Sequence, residues 1–549
     1  MSDLGLDFGT TFSTISTIRD GKFVDLRLNG SPYIPTELAI FDDDHVVIGS
    51  SAALISERSK NYTIYYDLKR WVGVSKHNFE NLKKKLSPVY ECEFKDLDCW
   101  MSGIGTVKRS LPVKSLIHKF ISILISLFVD SEKIVINRMN VSVPADYTTN
   151  QRNYMRSLLD KLDITVNRIV NEPSAAAIFS AFLDPKSENL VVYDFGGGTF
   201  DTSLIKRYGN FLTVLDTKGD LFLGGRDIDR QIGVNIERKT GSKFSPLLLS
   251  HIKEQVNTEG ATSFNLPNSQ GKLVNFEFSK IELREICQPF LQRSLSLLQN
   301  LIRENNLTEA TIAMVGGSSL LTPIFEGVKN FSKDHKLKLI RSEDLRLAVS
   351  YGCACLFELE RNENFTYVDV NSHPLMTFEN HTEPNIIIRK PMPVPYEHTQ
   401  MRSVWEVYLT GLSVYEGSSC FFLDNDPLIK ATYYSNAVAE KGDNYNVIYK
   451  YNTDGVISVK LENFDKTRQL EIQNLLSFEF NLIDLPLKQT QFGAGNENVV
   501  LVDLLQHYDK SEEIQNLSKE FPYLLNNAIT NIGGRDELLK RLRTRITQI

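Results

Sequence analysis

Met1 to Thr11 reads MSDLGLDFGTT and Val191 to Ser203 reads VVYDFGGGTFDTS. Each is an apolar strand, an Asp, then a turn of glycine and threonine. Glycine lets the backbone take positive φ and approach closely enough for N–H groups to meet phosphate oxygens, while an Asp at a strand end can hold a hydrated Mg²⁺. Either turn alone also fits an ordinary hairpin, in which glycine only relieves strain. Two copies about 190 residues apart, each after a β-branched or aromatic-rich run, point instead to a nucleotide site.

Working outward, the 549 residues exceed what one core usually serves, so two or more domains are expected. A 42% hydrophobic and 23% charged composition is ordinary for a globular protein. The net charge of -7 argues against bulk nucleic-acid binding, and no direct sequence-specific nucleic-acid contact is expected. Neither a signal nor a transit peptide fits the first residues. The apolar run Phe120 to Val129 is too short to span a bilayer and reads as a buried helix, so no transmembrane segment is expected. Cys92, Cys99, Cys287, Cys353, Cys355 and Cys420 form no Cys-x-x-Cys pair and no zinc spacing, and they read as reduced thiols of a cytosolic protein.

Residues 1 to about 360 alternate short apolar runs with helical stretches, the pattern of an α/β architecture. Asn140 to Pro144 and Asn189 to Tyr193 read as strands, and Asn150 to Leu162 and Phe278 to Leu301 as helices. Met314 to Leu320 (MVGGSSL) is a third strand-then-glycine turn. From about Asn362 the texture changes to prolines and alternating β-type residues. Pro391 to Pro395, Trp405 to Tyr415 and Val447 to Lys460 read as strands, with Asp454-Gly455 as a hairpin turn. Asp536 to Ile549 reads as a basic amphipathic helix, solvated on one side and packed through Leu538, Leu539 and Leu542.

LGLDFGTTFSTI at 4–15, LKRWVG at 68–73, VSVPADYTTNQR at 141–152, RIVNEPSAAAI at 168–178, YDFGGGTFDTS at 193–203, FLGGRDIDR at 222–230 and VGGSSL at 315–320 together resemble the actin-like ATPase superfamily, and within it the seventy-kilodalton heat-shock chaperones. More weakly, Tyr367 to Val370 looks like that family's interdomain linker, and 394–404, 413–419 and 451–459 are similar to its β-sandwich for extended peptides. The resemblance implies an α/β fold: an actin-like ATPase domain of two lobes over 1–360, a linker over 361–371, a β-sandwich over 372–478 and a short, mainly helical segment over 479–549. About seventy residues after Phe478 are too few for the family's full lid, so its peptide clamp is expected to be altered or lost. This truncated pattern resembles the homologues encoded by closteroviruses, especially criniviruses.

The resemblance implies ATP/ADP and Mg²⁺ as ligands. Asp7, Glu172, Asp194 and Asp201 would surround the metal, mostly through its waters, and Lys69 would be the catalytic lysine, with Arg70 beside it as an alternative of surface type. Thr10, Thr11 and Thr199 would offer hydroxyls to the phosphates, and Gly9, Gly196, Gly197 and Gly198 backbone N–H groups; Gly224, Gly225, Gly316, Gly317, Ser318 and Lys253 complete the expected nucleotide site. The base side departs from the family. Leu320 stands where the family places an Arg over the adenine, a loss worth about 1 kcal/mol, and Glu254 replaces one of its basic residues. Pro144 and Arg152 match the family's relay to the linker, and Arg168 an arginine that engages J-domain cochaperones; for each, a purely structural role stays open.

The functional expectation is a heat-shock-chaperone-like ATPase of a plant virus, turning over slowly in support of virion tail assembly and cell-to-cell movement. Its partners would be capsid and other virion or movement proteins, and its locations the host cytoplasm, the virion and plasmodesmata. A divergent cellular chaperone acting on unfolded peptides is the alternative. A small-molecule kinase on the same fold has no need of the peptide-sandwich segments, and a structural particle component with a vestigial site would need no turnover.

Overall fold

The computed structural model describes residues 2–472, apart from residues 29, 42–44, 50–60, 184–187, 245, 261, 269, 271, 341–346, 362–364, 380–382, 405–408, 421–424 and 435–436, and also describes residues 488–489. The expected helix over 536–549 and the point near Phe478 where the resemblance ends lie outside the described residues.

The doubled motif is the visible part of a doubled sheet. In the first sheet β1 (Ser2–Asp7) runs antiparallel to β2 (Phe12–Arg19), which runs antiparallel to β3 (Lys22–Asp25). On its other side β1 pairs in parallel with β4 (Ile136–Val143), and β4 in parallel with β5 (Thr165–Asn171). The second sheet repeats the scheme. Its β6 (Asn189–Phe195) is antiparallel to β7 (Phe200–Tyr208), and β7 to β8 (Phe211–Asp220). Parallel to β6 comes β9 (Thr311–Val315), and parallel to β9 comes β10 (Lys338–Ile340). Parallel pairing cannot be closed by a hairpin and needs helical crossovers, which explains the alternation read in the sequence.

The crossovers follow from apolar patterning. In α1 (Val113–Glu132) Leu116, Ile117, Phe120, Ile121, Leu124 and Phe128 are fully buried in one core with Leu4, Leu6 and Phe8. It is the helix expected around Phe120 to Val129. The next, α2 (Thr149–Leu159), carries a capping box of Thr148 and Gln151, and α3 (Glu172–Leu183) starts at the NEP motif. Three helices, α4 (Gly225–Thr240), α5 (Pro246–Thr258) and α6 (Lys280–Glu304), cover the second sheet in a separate core, with Ser279 and Glu282 forming the capping box of α6. A seventh, α7 (Ala348–Glu360), fits between α3 and β1 because glycine stands at both contacts. A Cβ on Gly352 would lie 1.8 Å from the Ala175 carbonyl oxygen, and one on Gly5 2.1 Å from that of Ser350.

The segment expected as a linker forms β11 (Thr366–Val370), added in parallel to the edge strand β8 with Leu212 opposite Tyr367. Beyond it are two four-stranded antiparallel sheets. One is built from Glu383–Ile388, Leu375–Glu379, Leu409–Glu416 and Asp426–Tyr434, the other from Tyr396–Ser403, Asn444–Tyr451, Ile457–Asn463 and Gln469–Ile472. Their inward residues, among them Leu375, Val414, Ile429, Val447, Tyr449 and Val459, share one core. The Asp454-Gly455 hairpin is present, with Gly455 at φ +71°.

Candidate functional site

Both glycine turns close hairpins, with Asp7 opposite Thr14 and Asp194 opposite Asp201. The two turns then meet face to face. A Cβ on Gly197 would fall 2.0 Å from the Thr11 hydroxyl oxygen, and one on Gly198 2.4 Å from that of Thr10, so no larger residue fits without parting the two sheets. The third turn docks on the second: Gly316, at φ +83°, leaves room for Asp194, whose Oδ1 would lie 2.5 Å from an added Cβ, and Ser318 donates to the Gly196 carbonyl at 2.8 Å.

This meeting brings Asp7, Gly9, Thr10, Thr11, Lys69, Glu172, Asp194, Gly196, Gly197, Gly198, Thr199, Gly225, Lys253, Gly316, Gly317 and Ser318 onto one cleft of about 630 Å³. Asp201 and Gly224 are not on its wall. Asp201 is buried beside Asp194, next to Asp146 and Gly219, and Gly224 packs on the backbone of Gly198. The amides of Gly224 and Gly225 are also engaged, donating to the Asp227 carboxylate at 3.0 Å and to the Gly196 carbonyl at 3.1 Å. They fix the second turn rather than presenting N–H groups to the cleft.

Lys69 lies in a 3₁₀ turn (Leu68–Trp71), is buried, and forms an ion pair with Glu172 at the start of α3. Burial opposes its charge, yet Glu172, Asp7 and Asp194 outweigh that and raise its pKa, so it stays protonated. The acids show the opposite strain. Burial first, then Glu172, pushes Asp7 up to about 7 despite Lys69 and a 3.0 Å hydrogen bond from Ser142, and the same two causes hold Asp194 and Asp201 well above the usual carboxylate range. Four acids thus share one ammonium group.

That excess negative charge fits a divalent cation, which would restore the carboxylates to their ionised form. The Thr11 hydroxyl, on the cleft wall, is buried with no hydrogen-bond partner, as expected of a group awaiting a ligand, and Asp201 Oδ1 is likewise unpartnered behind the wall, beside Gly219. Among the described residues no three His, Cys, Asp or Glu side chains close into a direct metal cage. The donor set therefore suits Mg²⁺ held through its own waters, which it gives up reluctantly.

Along α5 and the third turn the wall carries His251, Glu254, Asn257 and Leu320. Asn257 is used internally, accepting from the Thr322 amide at 2.7 Å and donating to the Leu320 carbonyl at 3.4 Å. Lys253 is held 2.7 Å from Asp229 of α4. Arg168 is paired with Glu360 at 2.8 Å, at the end of α7.

Several residues here were not singled out by their neighbours in the sequence. Arg70, one half of a Lys-Arg pair that could be a surface feature, keeps its side chain only 5% exposed and spans to Asp227 of α4 at 3.0 Å. Arg226 of α4 likewise reaches Asp67 at 3.1 Å and Glu37 at 3.9 Å, so two arginines tie the first half of the cleft to the second. Tyr147 donates to the Lys69 carbonyl at 3.2 Å, linking the turn before α2 to the lysine. Only the burial of paired charges far apart in the chain reveals them.

Two sheets of matching strand order each bring an Asp and a glycine turn onto a shared cleft beside a buried lysine, an arrangement suited to holding phosphate. The Hsp70 protein family matches residues 3–477, and the chain belongs to that family. Members of this family are ATPases that bind nucleotide with Mg²⁺. Within it the chain is 38% identical over 544 residues to the movement protein Hsp70h of lettuce infectious yellows virus, covering 98% of each chain. It is 30% identical to the Hsp70h movement protein of grapevine leafroll-associated virus 3, over 83% of this chain and 84% of that one. It is also 30% identical to that of beet yellows virus, over 73% and 70%.

Proposed function

We propose that the protein binds ATP with Mg²⁺ in this cleft, hydrolyses it slowly, and uses the cycle to serve virion tail assembly and cell-to-cell movement of a plant virus. The observation that carries this reading is the convergence of Asp7, Glu172, Asp194 and Lys69 with three glycine turns on one cleft. In this reading residues 1–360 are an actin-like ATPase of two lobes, 361–371 a linker, 372–478 a β-sandwich and 479–549 a short helical extension.

Asp7, Glu172, Asp194 and Asp201 would hold the hydrated Mg²⁺, which supplies charge neutralisation to the phosphates. Gly9, Gly196, Gly197 and Gly198 admit the phosphates close to the backbone, and Thr10, Thr11 and Thr199 offer hydroxyls. Lys69, held in place by Glu172, would orient the attacking water and balance charge building on the γ-phosphoryl group. Gly224, Gly225, Gly316, Gly317 and Ser318 shape the turns, and Lys253 serves the ribose end.

Leu320 and Glu254 leave the base without a stacked cation. The chain is expected to bind GTP within roughly fivefold of ATP, the range set by losing about 1 kcal/mol of base contact. Calorimetry showing strong preference for adenine would contradict this.

The distal half acts as a docking surface for capsid and other virion or movement proteins, at host-cytoplasmic, virion and plasmodesmal locations. The names of the viral relatives support movement as the process served. A J-domain cochaperone would have to take Arg168 from Glu360. The test pairs anisotropy of labelled apolar heptapeptides, with and without ATP, with pull-down of capsid protein. Capsid association with negligible peptide binding is expected; tight, ATP-released peptide binding without capsid association would favour a cellular-type chaperone.

A further inference from the structure

The junction between the ATPase unit and the distal sheets is acidic where it is buried. Glu416, 4% exposed, accepts the Thr149 amide at 2.6 Å and the Tyr451 hydroxyl at 3.0 Å. Asp426 accepts the Thr148 hydroxyl at 2.8 Å. Two carboxylates from the distal half therefore sit on the N-terminus of α2, whose first amides have no acceptor within the helix.

The other charged groups around them are few. His373 faces both carboxylates and lies 3.3 Å from Asp146 Oδ1, while its Nε2 is 3.0 Å from the Asp146 carbonyl. His77 faces Asp426 from the ATPase side. Lys390 is directed at Asp146, Asp216 and Glu304, with Lys218 beside it. Arg152 is committed to the Ala145, Tyr147 and Asp454 carbonyls and to the Asn171 side chain. Lys390 and Arg152 are thus engaged with other partners, and His373 and His77 face the Glu416–Asp426 pair.

We propose that the distal half closes onto the ATPase unit with uptake of a proton at the Glu416–Asp426 cluster, so that docking tightens as the surroundings acidify. Burial in the docked form raises both carboxylates above their ordinary values; His373, the Thr149 amide and the Tyr451 hydroxyl only partly offset this at Glu416, and the Thr148 hydroxyl, His373 and His77 only partly at Asp426. Undocked, they return toward ordinary carboxylate behaviour. Between the ordinary and the raised values the docked state holds more protons, so docking is favoured there as pH falls and is weaker above that window. Uptake of one proton changes the docking equilibrium by at most about tenfold per pH unit.

Cys420 is exposed while the other five cysteines are buried, and Lys84 is exposed on the ATPase side. Spin labels on Cys420 and on K84C would report the docked fraction of the full chain by their separation. The docked fraction is expected to rise several-fold as pH is lowered from about 8 to about 5. The E416Q/D426N double variant, which keeps the acceptors without the charge, should be docked at all these pH values and show no rise. A wild-type docked fraction that is flat or falls with acid, or a double variant that rises as the wild type does, would overturn the proposal.

Discussion

Lys69→Ala is expected to bind nucleotide and yet release phosphate roughly 10²–10³ times more slowly than the unaltered chain, the loss that follows removal of one preorganised charge from a water-poor site. Lys69 is buried and its ammonium group is kept charged by Glu172, Asp7 and Asp194. It is thus fixed before substrate arrives and needs no reorganisation during reaction. Binding should survive because the glycine turns and the carboxylates that would hold Mg²⁺ are untouched; the metal compensates the acids that the alanine leaves unpaired. Equilibrium binding and single-turnover hydrolysis measured on the same preparation separate the two effects. Hydrolysis at the unaltered rate would remove Lys69 from the chemistry.

Asp454→Ala is expected to undock the distal half. Asp454 accepts the Ile169 amide at 3.1 Å and the Arg156 guanidinium at 3.1 Å, and the carbonyl of the same residue meets Arg152 at 3.3 Å. Asp454 is 9% exposed, so its truncation leaves a buried amide without an acceptor and a guanidinium without its anion. Truncating one partner of a buried, hydrogen-bonded charge pair costs about 2–5 kcal/mol. Because the Arg156 side chain is one-third exposed, the lower part of that range, about 2–3 kcal/mol, applies. This corresponds to roughly a 30- to 150-fold shift toward the open form. Small-angle scattering should show an increased radius of gyration for the variant. An unchanged radius, with the hairpin still folded by circular dichroism, would mean that the junction does not depend on this contact.

How much of this could be read from the chain depended on whether the chemistry was local in sequence. Asp7 with Gly9, Thr10 and Thr11, and Asp194 with Gly196 to Thr199, carry their strand, turn and donors within a dozen residues, so their convergence was foreseeable. The matched order of the two sheets extends that signal. Arg70 was ambiguous because its partner, Asp227, lies 157 positions away and no local pattern distinguishes a buried pair from a surface one. Gly224 and Gly225 looked like phosphate ligands, but their amides are spent on Asp227 and Gly196, which only the three-dimensional packing discloses. Asp454-Gly455 was legible as a turn and not as a contact, since a turn residue's outward partners belong to another part of the chain. Tyr367 to Val370 carried the pattern of a linker, and its apolar alternation also suits the strand it forms beside β8.

In the function proposed above, the cleft performs Mg²⁺-dependent phosphoryl chemistry. Single-turnover release of γ-phosphate from ATP by excess full-length protein, with Mg²⁺ and with a chelator, tests it most directly. Slow release of about one phosphate per bound ATP is expected with Mg²⁺ and none above buffer with the chelator; no release with Mg²⁺, or equal release in the chelator, would overturn the proposed chemistry.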